Sequence, residues 1–466
     1  MLSLVHRPLR LCDGLTRREL LAAGALGPLG LSLDALLTAR ARAAVTSAGR
    51  PAPSPRAKSC VQLFLWGGPG AQETWDLKPD GPDGTRGDFQ PIATAVPGTQ
   101  ICQHLPLLAA RADRYTIVRS LAHTGVNHGT SAYHMLTGHI HSSPGTLRHP
   151  APTDMPNIGA NAARFLPQPA GLPRHVHLPA IINDGDGLPV PGQGAGILGD
   201  AREPFLVLGD LTQADFRVPA LALVDGVSRG RLEGRVGLRQ MIDDRLEHLS
   251  REDVGRTVDG SYSLAVGLLN SRSAEEAFDL SREPEALRQR YGMHHFAQAL
   301  LLARRLVEAG VPLVTVYWSS PSNTDNQSWD THSDQHRRMK DFLLPAFDRA
   351  LAAFLDDLAE RGLLDETLVT WYGEFGRTPR INGDGGRDHW GFCQSIGLAG
   401  GGTPAGMVYG GSTRDGGYPA ADAVTPDDLA ATIYRLLGID YRGLMHDRSG
   451  RPLPLSYGEP VAALCS

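Results

Sequence analysis

Several features are scarce in this 466-residue sequence, and each absence narrows the range of functions. The five cysteines (Cys12, Cys60, Cys102, Cys393 and Cys465) are scattered and include no CxxC pair. Neither a disulfide framework nor a zinc–thiolate site is therefore indicated. Basic residues are not in excess, because 45 Lys and Arg stand against 50 Asp and Glu, for a formal net charge of −5. Since duplex binding usually requires a clustered basic face, we expect no nucleic-acid partner.

Long apolar runs are also missing. The apolar segment that ends near Leu37 is interrupted by Asp34 and falls short of the ~20 residues that span a bilayer. The segment TRRELL at 16–21 precedes it, and small residues suited to signal cleavage occupy 39–44. A paired Arg before a mildly hydrophobic run is typical of a twin-arginine signal, although an ordinary secretory signal and a basic amphipathic helix are the simpler alternatives.

We therefore predict that residues 1–44 are a signal peptide recognised by the twin-arginine export machinery. The mature chain is then periplasmic or extracellular and carries no stable transmembrane helix. Residues 45–58 are rich in Pro, Ser and Ala, which predicts a flexible linker. Residues 59–458 are predicted to form a single domain, with a loop-rich insertion at about 139–230 that covers one end of its sheet.

Short apolar runs of strand length alternate with helical patterns through this domain. The predicted strands are 60–66, 115–118, 311–318, 368–372 and 395–399, and the predicted helices are 105–111, 131–138, 285–307, 335–361 and 426–437. Strands that alternate with helices pack as a parallel sheet between two helical layers. We therefore predict an α/β fold, a three-layer α/β/α sandwich with a mostly parallel central sheet.

Polar side chains follow four of these strands. The groups are Glu73 and Asp76; Asn127, His128, Thr130 and Ser131; Asp330, His332 and His336; and Glu374, Arg377, Asp388 and His389. Because the carboxyl ends of parallel strands share one edge of a sheet, these loops can converge. Carboxylates and imidazoles at that edge suit one or two divalent ions, as in the hydrolysis of phosphate esters. The residue types do not distinguish Zn²⁺, Mn²⁺, Ca²⁺ and Mg²⁺.

Two further features of these loops suit an anionic substrate. Arg377 can bind anionic oxygens in a bidentate manner. A helix N-terminus near Asn127, His128 and Thr130 is a natural anion site, because its free N–H groups point outward. Simpler structural explanations remain for several residues: Glu73, Asp76 and His128 could cap turns or helices, and His336 could be an ordinary first-turn residue.

The order of the motifs resembles that of a known family. The segments LFLWGGPGAQETWDLKP, NHGTSAYHMLTG, SWDTHSDQH, GLLDETLVTWYGEFGRTP, GRDHWG and LAATIYRLLGID occur in succession over about residues 58–455. They resemble a bacterial family of exported, sulfatase-like proteins, catalogued as a domain of unknown function, in the alkaline phosphatase superfamily. The resemblance implies an alkaline phosphatase-like fold and metal-dependent chemistry on phosphate or sulfate esters.

The resemblance also implies roles for individual residues. It places Asp330, His332 and His389 at a first metal site, and Glu73 or Asp76 with Glu374 at a second. Sulfatases carry a modified Cys ten residues before the Gly of a Leu-Thr-Gly motif, and counting back from Gly138 gives His128 instead. The superfamily's Asp-His pair after the strand 368–372 is replaced here by Glu374-Phe375, so one imidazole is missing and His128 is the candidate to replace it. Three options remain open, namely a changed mechanism, a single-metal site or no hydrolysis.

The leading hypothesis is an exported, metal-dependent hydrolase of sulfate or phosphate esters. Its metal residues are Glu73, Asp76, Asp330, His332, Glu374, Asp388 and His389. Arg377 and Asn127 bind the substrate, which is a small anionic ester or a sulfated or phosphorylated glycan. His128, Thr130, Ser131 and Arg377 are the catalytic candidates, and the nucleophile is either hydroxide or the hydroxyl of Thr130 or Ser131. The alternative hypothesis is a non-catalytic cell-surface binding or scaffold protein on the same fold.

Overall fold

An eight-stranded sheet forms the centre of the fold. The computed structural model describes residues 55–142, 149–185, 187–221, 230–231, 234, 265–318 and 328–465. The strands are β1 (Ser59–Phe64), β2 (Tyr115–Leu121), β3 (His175–Leu178), β4 (Phe205–Leu206), β5 (Leu313–Tyr317), β6 (Thr367–Tyr372), β7 (Gln394–Ala399) and β8 (Val408–Tyr409). Their order across the sheet is β8-β2-β7-β6-β1-β5-β3-β4. Of these described strands, β7 runs antiparallel to its neighbours and the other seven run in one direction.

Helices cover both faces of this sheet. The four longest described helices are α1 (His128–Thr137), α2 (His295–Glu308), α3 (Leu344–Glu360) and α4 (Pro426–Leu436). Successive side chains of a strand point to opposite faces, so the buried strand β1 contributes to two cores. Val61 and Leu63 pack in the core that contains α2 and α3, whereas Cys60 and Phe64 pack in the core that contains α1 and α4. The predicted three-layer α/β/α sandwich with a mostly parallel sheet is confirmed.

Shorter elements connect these layers. The short α-helices are Pro106–Ala109, Ile158–Ala162, Arg272–Phe278, Glu285–Tyr291 and Gln335–Arg338, and Met339–Leu343 is a π-helix. The 3₁₀ turns are Ala71–Glu73, Ala112–Arg114, Gly196–Leu198, Asp200–Arg202, Pro219–Leu221, Leu280–Arg282, Leu364–Glu366 and Ala462–Cys465. Four antiparallel pairs join Pro91–Ala93 to Gln100–Cys102, Gly376–Arg377 to His389–Trp390, Gly411–Ser412 to Pro419–Ala421, and Leu444–His446 to Pro452–Pro454.

The structure contains all five predicted strands and changes three other expectations. The predicted helix 285–307 is divided at Gly292, whose φ of 109° lies outside the helical region. The predicted helix 335–361 contains the π-helical turn before α3. Part of the segment 139–230 enters the central sheet, because β3 pairs with β5 in parallel and β4 extends the edge. The predicted signal peptide and the part of the predicted linker up to residue 54 lie outside the described residues. Within the described ranges, no helix has the length and apolar character needed to cross a membrane.

Local capping fixes the position of α1 at the carboxyl edge of the sheet. The Asn127 side chain accepts a hydrogen bond from the Thr130 backbone N–H, which begins the helix directly after the loop that follows β2. Gly138 ends the helix in the left-handed conformation at φ 68°, as its sequence position predicts. His128 therefore lies in the first turn of α1, beside the ends of the central strands.

Candidate metal centre

Four loops meet at the carboxyl edge of the sheet. They follow β1, β2, β5 and β6, and the loop after β6 leads into β7, which starts at the same edge because it is antiparallel. The Gly67 backbone N–H donates to Glu374 Oε1 at 2.9 Å and to Oε2 at 3.1 Å. A Cβ at Gly67 would lie 2.1 Å from the Asp330 backbone nitrogen, so only glycine permits this approach. The loops after β1, β5 and β6 are thereby held together.

Asp330 lies at the centre of a cluster of three histidines. Its Oδ2 is 3.3 Å from His128 Nε2, and its Oδ1 is 3.1 Å from His332 Nε2 and 3.2 Å from His389 Nε2. His332 Nε2 and His389 Nε2 are 2.8 Å apart. His128, Asp330 and His389 each offer a ligand atom, and these atoms lie within 4.8 Å of one another, so the three residues could hold a metal ion. Among the described residues, these three form the group whose ligand atoms are close enough to hold one ion.

The second nitrogen of each histidine is bonded to an oxygen. His128 Nδ1 lies 2.7 Å from Glu374 Oε1, and His389 Nδ1 lies 2.9 Å from the Val126 carbonyl oxygen. His332 Nδ1 lies 2.8 Å from Asp388 Oδ1. Carbonyl and ionised carboxylate oxygens only accept hydrogen bonds, so Nδ1 is the donor in each ring. In the neutral form of each ring, Nε2 then carries a lone pair directed at the cluster, which is the usual arrangement of metal-binding histidines.

The distances within the cluster fit a small tetrahedral ion. Ligands at ~2.0–2.1 Å around such an ion are separated from one another by about 3.3 Å. The separations between Asp330 oxygens and imidazole nitrogens, 3.1 to 3.3 Å, match this value. The separation of 2.8 Å between His332 and His389 is somewhat shorter. Three imidazoles and one carboxylate are a donor set that zinc-type ions accept.

The charges of the cluster are strongly coupled. Burial alone would raise the pKa of Asp330, but hydrogen bonds from His128 and His389 and the charge of Arg377 outweigh it and hold the pKa well below its usual range. Burial alone would lower the pKa of His128, but its bonds to Asp330 and Glu374 prevail and raise that pKa to about 9. The hydrogen bond from His332 lowers the pKa of Asp388. Both carboxylates therefore stay ionised and able to act as ligands or acceptors.

Arg377 supports the cluster from within the protein. Its guanidinium is fully buried and donates to Asp330 Oδ1 at 2.6 Å, to the Gly68 carbonyl at 3.0 Å and to the Arg387 carbonyl at 3.0 Å. It also bonds the carbonyls of Gly67 and Trp329. All three guanidinium nitrogens are thus occupied by the protein itself. Arg377 therefore positions Asp330. Because its nitrogens are bonded to the protein itself, the structure does not show the predicted arrangement in which Arg377 faces a substrate.

Two of the predicted metal residues are held elsewhere. Glu73 is fully buried and accepts from Arg387 Nη2 at 2.6 Å and Nε at 2.8 Å. Asp76 accepts from Lys78 Nζ at 2.9 Å and from the Ser412 hydroxyl. Asp76 also forms an ion pair with Arg119 at 3.7 Å, and none of these described bonds is made with the histidine cluster. The structure therefore does not join Glu73 and Asp76 to the centre formed by Asp330.

The candidate nucleophiles occupy the first turn of α1. Thr130 Oγ1 is 3.3 Å from the Asn127 carbonyl oxygen and the residue is partly exposed. Ser131 is buried, and its Oγ has no hydrogen-bond partner among the described residues. A Cβ at Gly125 would lie 2.5 Å from that Oγ, so the Ser131 hydroxyl faces the chain rather than open solvent. Of these two hydroxyls, that of Thr130 is the more accessible.

Sequence reasoning missed the residues that surround the ligands. Asn382 Nδ2 donates to the His332 carbonyl at 2.9 Å and to Asp388 Oδ1 at 3.2 Å, so it fixes both loops. The Phe375 ring stacks on His389 with the ring centroids 4.3 Å apart. The turn-forming sequence NGDGG at 382–386 was the available signal for Asn382. No periodicity pointed to Phe375, whose position follows from the course of the loop after β6.

Comparison with known proteins assigns the chain to a family. Residues 57–465 match the model of DUF1501, which is described as a protein of unknown function, and the chain belongs to this family. The predicted resemblance to a family of unknown function is thereby confirmed. No curated protein matches the sequence.

Several solved structures resemble the chain at low sequence identity. One is the lipoteichoic acid synthase LtaP from Listeria monocytogenes, with 8% identity over 86% of this chain and 88% of that chain and a TM-score of 0.35. Another is the PsFucS1 sulfatase from Pseudoalteromonas sp., with 15% identity over 90% and 73% and a TM-score of 0.35. A third, described as a protein in the alkaline phosphatase superfamily from Vibrio parahaemolyticus, has 12% identity over 83% and 68% and a TM-score of 0.35.

Proposed function

We propose that the protein is a metal-dependent hydrolase of sulfate or phosphate esters. The observation that carries this proposal is the orientation of three imidazoles around one carboxylate. His128, His332 and His389 each donate Nδ1–H to an oxygen and direct Nε2 toward Asp330. These preorganised residues lie at the carboxyl edge of a parallel sheet, which is where α/β enzymes place their active sites.

The donor set favours one zinc-type ion. Imidazole nitrogens suit Zn²⁺ better than Ca²⁺ or Mg²⁺, which prefer oxygen ligands. His128, Asp330, His332 and His389 would hold the ion, with Glu374 and Asp388 orienting two of the rings. A single ion is favoured because Glu73 and Asp76 are paired with other residues. When bound, such an ion acts as a Lewis acid on an ester oxygen.

The residues around the centre suit an anionic substrate. Val126, Asn127 and Asp388 are exposed at the mouth of the cluster, which leaves it open to solvent. The first turn of α1 directs its positive end toward this opening, where negative charge is stabilised. We therefore propose a small anionic ester or a sulfated or phosphorylated glycan as substrate. Thr130, partly exposed on that turn, is the side-chain candidate for nucleophile, and a water molecule is the alternative.

Metal content and turnover together test this function. The natively exported protein should contain about one divalent ion per chain by elemental analysis. It should hydrolyse at least one member of a panel of aryl sulfates and aryl phosphates. Glu374→Ala with His389→Ala should abolish both properties. The proposal is wrong if stoichiometric metal is absent and the double variant hydrolyses the panel as well as the natural chain.

A specific observation also favours a non-catalytic binding or scaffold function as the second candidate. His128 stands where a sulfatase nucleophile would fall, and both of its nitrogens are engaged, by Glu374 and Asp330. The hydroxyl of Ser131 is buried. A protein that retains the metal but turns over no member of the ester panel would favour this second function.

We also propose that the chain is exported by the twin-arginine machinery to the periplasm or beyond. The segment TRRELL at 16–21 and the apolar run after it support this proposal. Residues 1–44 fused to a reporter should direct its export, and Arg17→Lys with Arg18→Lys should block it. Export of the doubly substituted fusion at the natural level would contradict the twin-arginine route.

A further inference from the structure

A cavity outside the candidate metal centre contains a buried carboxylate with an unbonded oxygen. Its volume is about 220 Å³, and it lies between the segments 150–155 and 192–203, with Arg448 also in its wall. Asp154 is only 5% exposed, and the Ala151 backbone N–H donates to its Oδ2 at 2.8 Å. Its Oδ1 has no hydrogen-bond partner among the described residues. Since buried polar atoms are normally satisfied, this oxygen indicates a missing partner in the cavity.

A second carboxylate lines the same cavity. Glu203 Oε1 accepts from the Ala195 backbone N–H at 3.0 Å. A Cβ at Gly194 would lie 2.8 Å from Glu203 Oε2, so the absence of a side chain there makes room for the carboxylate. Asp154 and Glu203 both belong to the residues that line the cavity. The two acids are therefore presented to one shared space.

The cationic groups nearby leave Asp154 Oδ1 without a hydrogen bond. Arg448 Nη2 lies 3.5 Å from Asp200 Oδ1. His141 Nε2 is 3.7 Å from Asp154 Oδ1, which is within ion-pair distance but beyond hydrogen-bond distance. Burial raises the pKa of both Asp154 and Glu203. An added cation between the two carboxyl groups would offset the cost of keeping both ionised.

We propose that this cavity binds an organic ammonium group carried on a small apolar body. The ammonium offers three N–H donors, which suit the free oxygens of Asp154 and Glu203. Pro152 and Met155 supply carbon surface in the same wall. The volume equals about seven water molecules, which exceeds the space that a bare ion needs. Among the described residues, Asp154 and Glu203 are not part of a cluster of closely spaced metal-ligand atoms such as the one formed by His128, Asp330 and His389.

The cavity adjoins helix α1 but is separate from the metal centre. The Met155 backbone N–H donates to the Tyr133 hydroxyl at 2.7 Å. Tyr133 follows His128 by five residues on α1, a rise of about 8 Å along the helix axis. None of the residues that line the cavity is one of the cluster ligands. The ammonium site therefore does not depend on the proposed hydrolase.

Binding of matched probes to the exported full chain tests the site. Cyclohexylammonium and cyclohexanol have the same ring and differ in charge, and Ca²⁺ serves as the metal probe. We expect cyclohexylammonium to bind with a dissociation constant on the order of 1 mM, measured by calorimetry or ligand-observed NMR. Cyclohexanol should bind at least about tenfold more weakly, because it lacks the charged hydrogen bonds. Ca²⁺ should not displace the ammonium probe.

Substitutions inside and outside the cavity test where the ammonium probe binds, and thermal melting shows whether each variant is folded. Asp154→Asn and Glu203→Gln should each weaken cyclohexylammonium at least about tenfold. Glu366→Gln, which alters an exposed pair with Lys58 and does not line the cavity, and His389→Ala, in the metal centre, should leave its affinity within about twofold. Thermal melting identifies a variant that has unfolded, in which case the other carboxamide variant decides the result. The proposal is overturned if cyclohexylammonium and cyclohexanol bind equally, or if Ca²⁺ displaces cyclohexylammonium. It is also overturned if both carboxamide variants bind cyclohexylammonium with full affinity.

Discussion

The Nε2 atoms of His332 and His389 lie 2.8 Å apart, and both are within 3.2 Å of Asp330 Oδ1. Each ring donates its Nδ1–H to an oxygen, so two neutral rings would place two lone pairs against each other. A cation between these nitrogens removes that repulsion. The pair is therefore the part of the cluster that most strongly requires a metal ion or a shared proton.

Removal of His389 should release the metal. His389→Ala deletes one ligand and uncovers the site, so the metal content should fall from about one ion per chain to less than half of that value. The measurement is elemental analysis after dialysis against metal-free buffer. His336→Ala is the control, because His336 lies near Asp88, outside the cluster. Full metal content in His389→Ala would contradict the proposed ligand set.

Glu374 should act through His128 and not as a ligand itself. Its Oε1 is 2.7 Å from His128 Nδ1, and Glu374→Gln weakens that contact while it preserves side-chain size. Loss of such an orienting partner typically costs ~10–100-fold in metal affinity. Competition with a chelator measures this change. Glu366→Gln, which alters an exposed pair with Lys58, should have the natural affinity. Natural affinity in Glu374→Gln would show that His128 needs no orienting acid.

Replacement of Arg377 should reduce stability as well as any activity. Arg377→Ala leaves Asp330 and several buried carbonyl groups without their donor. Breaking a buried charge pair of this kind typically costs about 3–5 kcal/mol. Urea denaturation of the metal-free protein measures the loss, with Arg380→Ala as the control outside these contacts. A raised KM with unchanged stability would instead support the substrate-binding role predicted from the sequence.

Gly397 should be intolerant of any side chain. It pairs with Trp371 across β7 and β6, and a Cβ there would lie 2.0 Å from the Trp371 ring. Gly397→Ala should therefore lower the free energy of unfolding by at least ~1–3 kcal/mol, through overpacking of a buried site. Gly411→Ala is the matched control, because Gly411 is also in a strand and its Cβ would meet no atom within 4 Å. Equal melting temperatures of the two variants would contradict this packing.

Acid should destabilise the protein through two buried histidines on β3. Burial lowers the pKa of His175 to about 3 and that of His177 well below its ordinary value. Below pH ~6.5 the unfolded chain takes up protons that the folded protein excludes, so the free energy of unfolding falls as the pH falls. The loss approaches ~1.4 kcal/mol per pH unit for each histidine.

The double variant His175→Gln with His177→Gln isolates this effect. Its stability should fall less between pH 6.5 and 5.5 than that of the natural chain, by about 2 kcal/mol, because two titrating groups are removed. Urea denaturation at several pH values provides the measurement, and His336→Gln controls for loss of a partly exposed histidine. The same dependence on pH in the natural and double-variant proteins would exclude this cause.

The sequence predicted the location of the site better than the role of each residue. His128 and Asp330 follow β2 and β5, whose carboxyl ends share one edge, so their approach follows from the parallel sheet. Asp388 was predicted as a ligand, but its described bonds place it behind His332. Glu73 also follows a strand, yet it is paired with Arg387. Spacing along the chain contains no signal that separates a ligand from the residue that orients it.

The sequence by itself determined the alternation of strands and helices, the ends of α1, and the presence of acids and imidazoles after the strands. These features are local, since apolar runs, the Asn127 cap and Gly138 act within a few residues. Only the tertiary structure decided which nitrogen of each imidazole faces Asp330, and that Arg377 faces Asp330. Those choices depend on partners that are 47 to 263 residues apart along the chain, which strand order and loop path bring within hydrogen-bond distance.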